Sequence, residues 1–474
     1  MAGTHSRAGR SYLHARVVFL AYMQEPDASL PRTLIGELSG KVGKTVLIQG
    51  WIDVRRDQGK MVFFDFRDRS GKVQGVVLPN SDAMENAKET RGEYVVSVEG
   101  IVNERPAKNI QAGKQNGDIE LEVKGIEILA AAASLPFDMS ATSFEFDLTT
   151  QLDNRALLLR HPRLQAIFKV QAVIIDSFRE YLKSQDFFEF QAPAITPATA
   201  EGGAEVFQVD YFDKKAYLTQ SPQLYKQIIM TAFERVFSVN KIFRAEPSAT
   251  TRHLTEIVSL DAEFGFINSW RDVRDMSEAT VRYILGEVGK RCAAELAFLG
   301  AELPVMIKET PTYSLTEAFG KLGVPEDKDL NPEQERALCE LVKSETGSDF
   351  VYVYGYPTRQ KPFYVYPNPE QPEFNEGMDL LCRGVEWLSG GRRINKYDQL
   401  MEHVREWNMD PEKVSMFLEA FKYGAPPEGG FALGAERMTM QILGLKNIRE
   451  ATLFPRDMHR IDMLLSEDNK EQKS

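Results

Sequence analysis

Five short runs between Thr45 and Val123 alternate apolar and polar residues, and nothing else in the chain restricts its fold as strongly. A period of two puts successive side chains on opposite faces, which suits a half-buried strand. The runs are Thr45–Ile52, Met61–Arg67, Lys72–Leu78, Tyr94–Val102 and Ile119–Val123, and Asp68-Arg69-Ser70-Gly71 reads as a hairpin turn. Five strands in about 100 residues suggest a small closed barrel over residues 31–135. Trp51 reads as part of its core. A one-residue shift of strand phase would exchange Phe63 with Phe64, so Phe63 reads equally as core or as exposed.

The commonest barrel of this size is the oligonucleotide/oligosaccharide-binding barrel. Beyond it the pattern changes. An Ala-rich tract and Leu135-Pro136 open a polar stretch, so residues 136–158 read as a linker or hinge. From 159 to 462 helical and strand patterns mix. Leu164–Lys183 carries apolar residues at helical spacing, while Phe350–Tyr354 and Phe363–Tyr366 read as strands with no regular helix after them. This predicts an α+β domain with an antiparallel sheet flanked by helices. Neither a G-x-G-x-x-G nor a P-loop pattern stands in a strand-to-helix setting. Residues 1–30 read as a disordered extension. Arg7, Arg10 and Arg16 precede Val17–Tyr22 there, as in a targeting segment, although an upstream start with Met23 as the working start is preferred. Residues 463–474 read as a solvated tail.

Composition excludes several classes. No uncharged apolar run approaches the roughly 18 residues that span a bilayer, so no membrane association is expected. Three cysteines, 47 and 43 positions apart, form neither a disulfide framework nor a C-x-x-C zinc module and fit the reducing cytoplasm. The net charge is −12. Residues 31–135 hold 15 basic and 15 acidic residues and residues 1–30 hold three and two, so the other 339 carry −13. Such a chain binds nucleic acid poorly by charge alone, and any such partner must meet local patches, best placed in the neutral first third.

Three distant segments combine arginines with acids. They are Val239–Glu246 followed by Thr250–Glu256, then Met378–Arg393, then Gly429–Met438. Arginine contacts phosphate oxygens in a planar, bidentate way, and paired carboxylates such as Asp379 and Glu386 suit Mg²⁺. Glycines let backbone approach a ligand closely. One arginine alone reads as a surface residue, but three segments together read as a site for a nucleotide with Mg²⁺.

The order Phe243-Arg244-x-Glu246, Arg252-His253 and Gly434-x-Glu436-Arg437 resembles motifs 2 and 3 of the class II aminoacyl-tRNA synthetases, and Phe190–Ile195 resembles motif 1. Thr199–Ala204 and Gln220–Lys226 resemble the aspartyl-tRNA synthetases of the archaeal/eukaryotic-type branch, from about Leu34 to Arg460. Two departures stand out: Ala432 where motif 3 often has glycine, and Ile257 where many class II enzymes carry an aromatic.

The resemblance implies roles by position. Arg244 bridges the α-phosphate of ATP and the substrate α-carboxylate. Glu246 contacts the adenine side, and Arg252, His253 and Leu254 lie along the nucleotide. Gly434 and Arg437 close the γ-phosphate end, while Asp379, Glu386 and Ser389 serve Mg²⁺. Lys226 and Arg393 grip the side-chain carboxylate of L-aspartate, with Glu201 and Gln223 near its ammonium group and Ser389 at the same pocket. A Lys plus an Arg suits an anionic side chain better than an amide. On the barrel, Arg56, Phe63, Gln74 and Glu122 fall where the family reads the anticodon. Motif 1 implies a homodimer. The partner is tRNA-Asp, with tRNA-Asn left open. An asparaginyl-tRNA synthetase, or a tRNA-independent amide-forming paralogue, remains the alternative.

Overall fold

The computed structural model describes residues 30–139, 144–197, 205–247 and 250–462. The expected N-terminal extension up to residue 29, the tail 463–474 and Glu201 with its neighbours 198–204 lie outside the described residues. Two compact units divide between Phe144 and Glu145.

The first unit is a closed barrel in the order β1-β2-β3-β5-β4, built from β1 (Thr45–Asp57), β2 (Val62–Asp68), β3 (Gly71–Val77), β4 (Val95–Glu104) and β5 (Ile119–Ala130). Alternation decides its core: Val62, Phe64 and Phe66 point inward and are buried, while Phe63, Asp65 and Arg67 point outward. Trp51 departs from expectation. It lies half-buried on the outer face, opposite Arg67 in the β1–β2 register, whose guanidinium stands 5.7 Å from its ring centre. The inward positions on either side of it are Gly50 and Ile52.

The second unit is organised by an eight-stranded sheet in the order β12-β13-β14-β15-β16-β11-β10-β6. Its strands are β6 (Phe188–Glu189), β10 (Arg235–Phe243), β11 (Glu256–Gly265), β12 (Thr312–Ser314), β13 (Phe350–Tyr354), β14 (Gly377–Cys382), β15 (Val385–Arg393) and β16 (Glu428–Gly434). All neighbours are antiparallel except β12–β13 and β10–β6. A small sheet of β7 (Ile195–Thr196), β9 (Lys214–Leu218) and β8 (Gln208–Tyr211) stands beside it in sequence. The helix Pro162–Ser184 buries Leu164, Ile167, Val170, Ile174 and Phe178, the stripe its spacing predicts.

Two expectations need correction. Phe363–Tyr366 is no strand, because Pro362 and Pro367 bracket it; only Val365 forms an isolated bridge, to Arg393. The stretch read as a linker to residue 158 contains helices Leu148–Asp153 and Arg155–Leu158, which belong to the second unit. Arg155 is buried and donates to the carbonyls of Arg449, Thr452 and Leu453.

Candidate active site

The three sequence segments converge on one cleft. β10 brings Ile242, and the loop after it brings Arg244, Glu246, Arg252, His253 and Leu254. β11 adds Ile257 and Ser259, β15 adds Glu386 and Ser389, β16 adds Ala432 and Gly434, and the helix Ala435–Ile442 adds Arg437. The antiparallel register makes this possible: Ser389 and Asp261 are both opposite Ala432, and Gly391 and Glu263 are both opposite Gly430. Residues paired in this way share a sheet face.

Charge along the wall is balanced by neighbours. Arg437 donates to the carbonyl of Glu386 at 3.2 Å and pairs with its carboxylate at 3.4 Å. Arg252 stands 3.6 Å from Glu335, which the helix Pro332–Thr346 supplies. Burial, and then the charge of Glu386, push the Glu335 carboxyl up to about 7. Burial, then Arg437, hold the His253 imidazole below its ordinary range, and its Nδ1 lies 2.5 Å from the Thr250 hydroxyl. Glu436 is buried and accepts the Val258 amide on both oxygens at 3.1 Å, which fixes the helix start to β11. Burial raises its carboxyl to about 7.

Deeper along the same sheet face lies a second, enclosed cluster. The ammonium of Lys226, on the helix Gln223–Phe233, pairs with Asp261 at 3.2 Å and Glu263 at 3.0 Å. Arg393 donates Nε to the other oxygen of Glu263 at 2.9 Å and Nη2 to the Gly430 carbonyl at 3.0 Å. Lys226 is 1 % and Arg393 5 % exposed, a burial that long cations tolerate only when paired. Ser259, which lines the cleft, donates to Asp261 at 2.5 Å and so joins the two regions. Gln223 donates to Gln227 at 3.0 Å. A Cβ on Gly430 would sit 2.1 Å from both the Ala262 carbonyl and the Glu263 carboxylate, so only glycine fits.

Asp379 is placed differently from expectation. It is in register with Ser389 but lies off the cleft wall, and Lys361 binds one of its oxygens at 2.7 Å. Its other oxygen is buried without a hydrogen-bond partner. Lys361, Glu335, Asp261, Glu263, Gln227 and Glu428 were not anticipated from sequence. For Asp261 and Glu263 a signal existed, since acids two apart in an otherwise apolar strand must both face one side.

On the barrel the outward positions form a stripe. Arg56 is opposite Phe63, and Asp65 is opposite Gln74. Arg56 makes a two-pronged pair with Asp65 at 2.8 and 2.9 Å, which raises its guanidinium pKa further. Gln74 reaches Glu120 at 3.4 Å. Glu122 accepts from Asn103 at 3.0 Å and also pairs with Lys124, and the Lys124 contact holds its carboxyl below the ordinary range.

This cleft above a sealed ionic cluster, on a largely antiparallel sheet, is the arrangement of a tRNA synthetase catalytic domain. Residues 147–458 match the family described as tRNA synthetases class II (D, K and N), and the chain belongs to that family. Residues 46–129 match the OB-fold nucleic acid binding domain. Among curated relatives, the aspartate–tRNA(Asp/Asn) ligase of Thermus thermophilus is 41 % identical over 91 % of this chain and 99 % of its own length. The aspartate–tRNA(Asp) ligase of Pyrococcus abyssi is 38 % identical, over 88 % and 96 %. Among solved structures, a putative aspartyl-tRNA synthetase from Leishmania major superposes with a TM-score of 0.83 at 31 % identity, covering 92 % and 96 % of the two chains. The asparaginyl-tRNA synthetase of Pyrococcus horikoshii, complexed with asparaginyl-adenylate, superposes at 0.82 with 32 % identity, over 91 % and 100 %. Among the described residues no helix is long and apolar enough to cross a membrane.

Proposed function

We propose that the enzyme activates L-aspartate with ATP and transfers it to the terminal adenosine of tRNA-Asp. The observation that carries this reading is the sealed pair Lys226–Arg393, two cations on opposite oxygens of Glu263, at the end of the cleft where the amino acid would sit. An anionic side chain gains from both cations, whereas an amide would set its own N–H donors against one of them. Gln223 stands beside them for the substrate's ammonium group, with Glu201 in the same role.

Arg244 binds the α-phosphate and the substrate α-carboxylate, drawing the attacking oxygen toward phosphorus. Glu246 takes the adenine side next to Leu254 and Ile257. Arg252, His253 and Arg437 hold the outer phosphates, with the Gly434 backbone beneath. Charge on the transferring group is met by fixed guanidinium groups, so positioning and electrostatics supply the rate. Glu386 and Ser389 offer hard oxygen donors on the cleft wall, which fits Mg²⁺; Asp379, held by Lys361, stands behind them. Bound there, Mg²⁺ would neutralise phosphate charge.

The barrel stripe would read the anticodon, Phe63 by stacking and Arg56, Gln74 and Glu122 at base edges. Exposed Phe188 and Phe233, stacked 4.3 Å apart next to motif 1, favour a homodimer. The compartment is the cytoplasm, in keeping with three buried free thiols.

Aspartate-dependent ATP–pyrophosphate exchange tests the first step, with asparagine as the competitor. Exchange with asparagine and none with aspartate would overturn the assignment. Charging of tRNA-Asp and tRNA-Asn with labelled aspartate then defines the tRNA range.

A further inference from the structure

Below the aspartate end of the site, the ionic cluster contains one acid more than its cations balance. Lys226 and Arg393 carry two positive charges, and Asp261 and Glu263 already answer them. Glu428 is a third carboxyl, 0 % exposed, opposite Arg393 in the β15–β16 register and two residues from Gly430, under which Glu263 lies. Its Oε1 accepts from Gln227 Nε2 at 2.6 Å, and Gln227 in turn accepts from Gln223. Its Oε2 is buried with no hydrogen-bond partner. Arg393 spends Nε on Glu263 and Nη2 on Gly430, and Lys226 pairs with Asp261 and Glu263.

An ionised carboxylate with one bare oxygen beside another carboxylate is the most costly form such a group can take. The neutral acid is different, because its hydroxyl is a donor and Glu263 is an acceptor. Burial, then the neighbouring Glu263, drive the carboxyl of Glu428 well above its ordinary range, in agreement with that geometry.

We propose that Glu428 is a positioning residue kept as a neutral acid, which donates from Oε2 to Glu263 and leaves no surplus negative charge beneath the Lys226–Arg393 pair that receives the aspartate side chain. The proposal rests on the aspartate reading above. With Glu428 neutral the cluster sums to zero before substrate binds; ionised, it would oppose an incoming carboxylate. Gln227 holds the acid and Gln223 in turn holds Gln227, so a side chain near the substrate is tied to the residue that sets the cluster's charge.

The test is aspartate-dependent ATP–pyrophosphate exchange by the full chain, with KM measured separately for aspartate and ATP. E428A releases Glu263 and should raise KM for aspartate about tenfold or more, with KM for ATP within about twofold, as expected for a lost hydrogen bond to a charged group. E428Q keeps the shape, stays neutral and can donate to Glu263, so it should restore KM for aspartate to within about threefold. Should E428A fail to fold, Q227L removes the clamp on Oε1 and is read in its place, with the same split between the two KM values. The proposal is overturned if E428Q is as impaired as E428A, or if KM for ATP rises equally. Wild-type enzyme that shows no aspartate-dependent exchange would instead sink the aspartate reading itself, and this proposal with it.

Discussion

Lys226 is pinned between two buried carboxylates, and its removal leaves Asp261 without a cation while Arg393 alone still answers Glu263. K226L should lower kcat/KM for aspartate in the exchange reaction by at least about 100-fold, and should cost roughly 3–5 kcal/mol in denaturant unfolding, because an unpaired buried charge is left behind. Unchanged aspartate kinetics would refute its assignment. Glycines separate in the same way. G430A places a methyl group 2.1 Å from the Glu263 carboxylate and should abolish aspartate activation or folding. G320A meets nothing within 4 Å inside the helix Leu315–Leu322 and should raise stability by about 0.5–1 kcal/mol in the same assay. The arginines of the cleft were legible in sequence because Arg244, Arg252 and Arg437 sit in recognisable motifs. The buried counter-charges were not. Nothing local marks Glu428 or Lys361 as partners, since they meet Gln227 and Asp379 only through the fold.

The helix Pro332–Thr346 delivers Glu335 to Arg252, and this contact makes an element-level prediction. The native carboxyl keeps its proton between about 4.5 and about 7, where the unfolded chain has lost it. The contribution of this group to stability therefore falls as pH rises through that window and levels off above it. E335Q should flatten that part of the Tm–pH curve. Ionised Glu335 also competes with phosphate for Arg252, so the wild-type KM for ATP should rise from pH 6 to pH 8 and that of E335Q should not. Elements were legible where period and punctuation agreed, as in the helix Pro162–Ser184 and the barrel strands. Phe363–Tyr366 misled because β-forming aromatics outweighed the two prolines beside them. The polar stretch before residue 158 hid two short helices, which are held by burying Leu152 and Leu158 and by the bonds of Arg155 to distant carbonyls rather than by propensity.

The barrel and the catalytic unit are separately compact, which predicts separable defects. F63A should raise KM for tRNA about tenfold through lost base stacking, while ATP–pyrophosphate exchange stays within about twofold of wild type. A matched loss in both assays would remove Phe63 from the nucleic-acid surface. The barrel was legible as five strands with one hairpin, while its strand order, with β3 beside β5, came only from the structure. The second unit was legible mainly through its motifs, as its sheet joins β6, β11 and β16 across long intervals. Arg155 adds a consequence for biosynthesis. Its carbonyl partner at Leu453 is 298 residues further on, so at ordinary elongation rates a nascent polypeptide waits roughly 15–60 s between translating the guanidinium and translating its acceptors. The barrel can mature on the ribosome during that interval, while the larger half remains in need of chaperone protection until nearly the last codons are read.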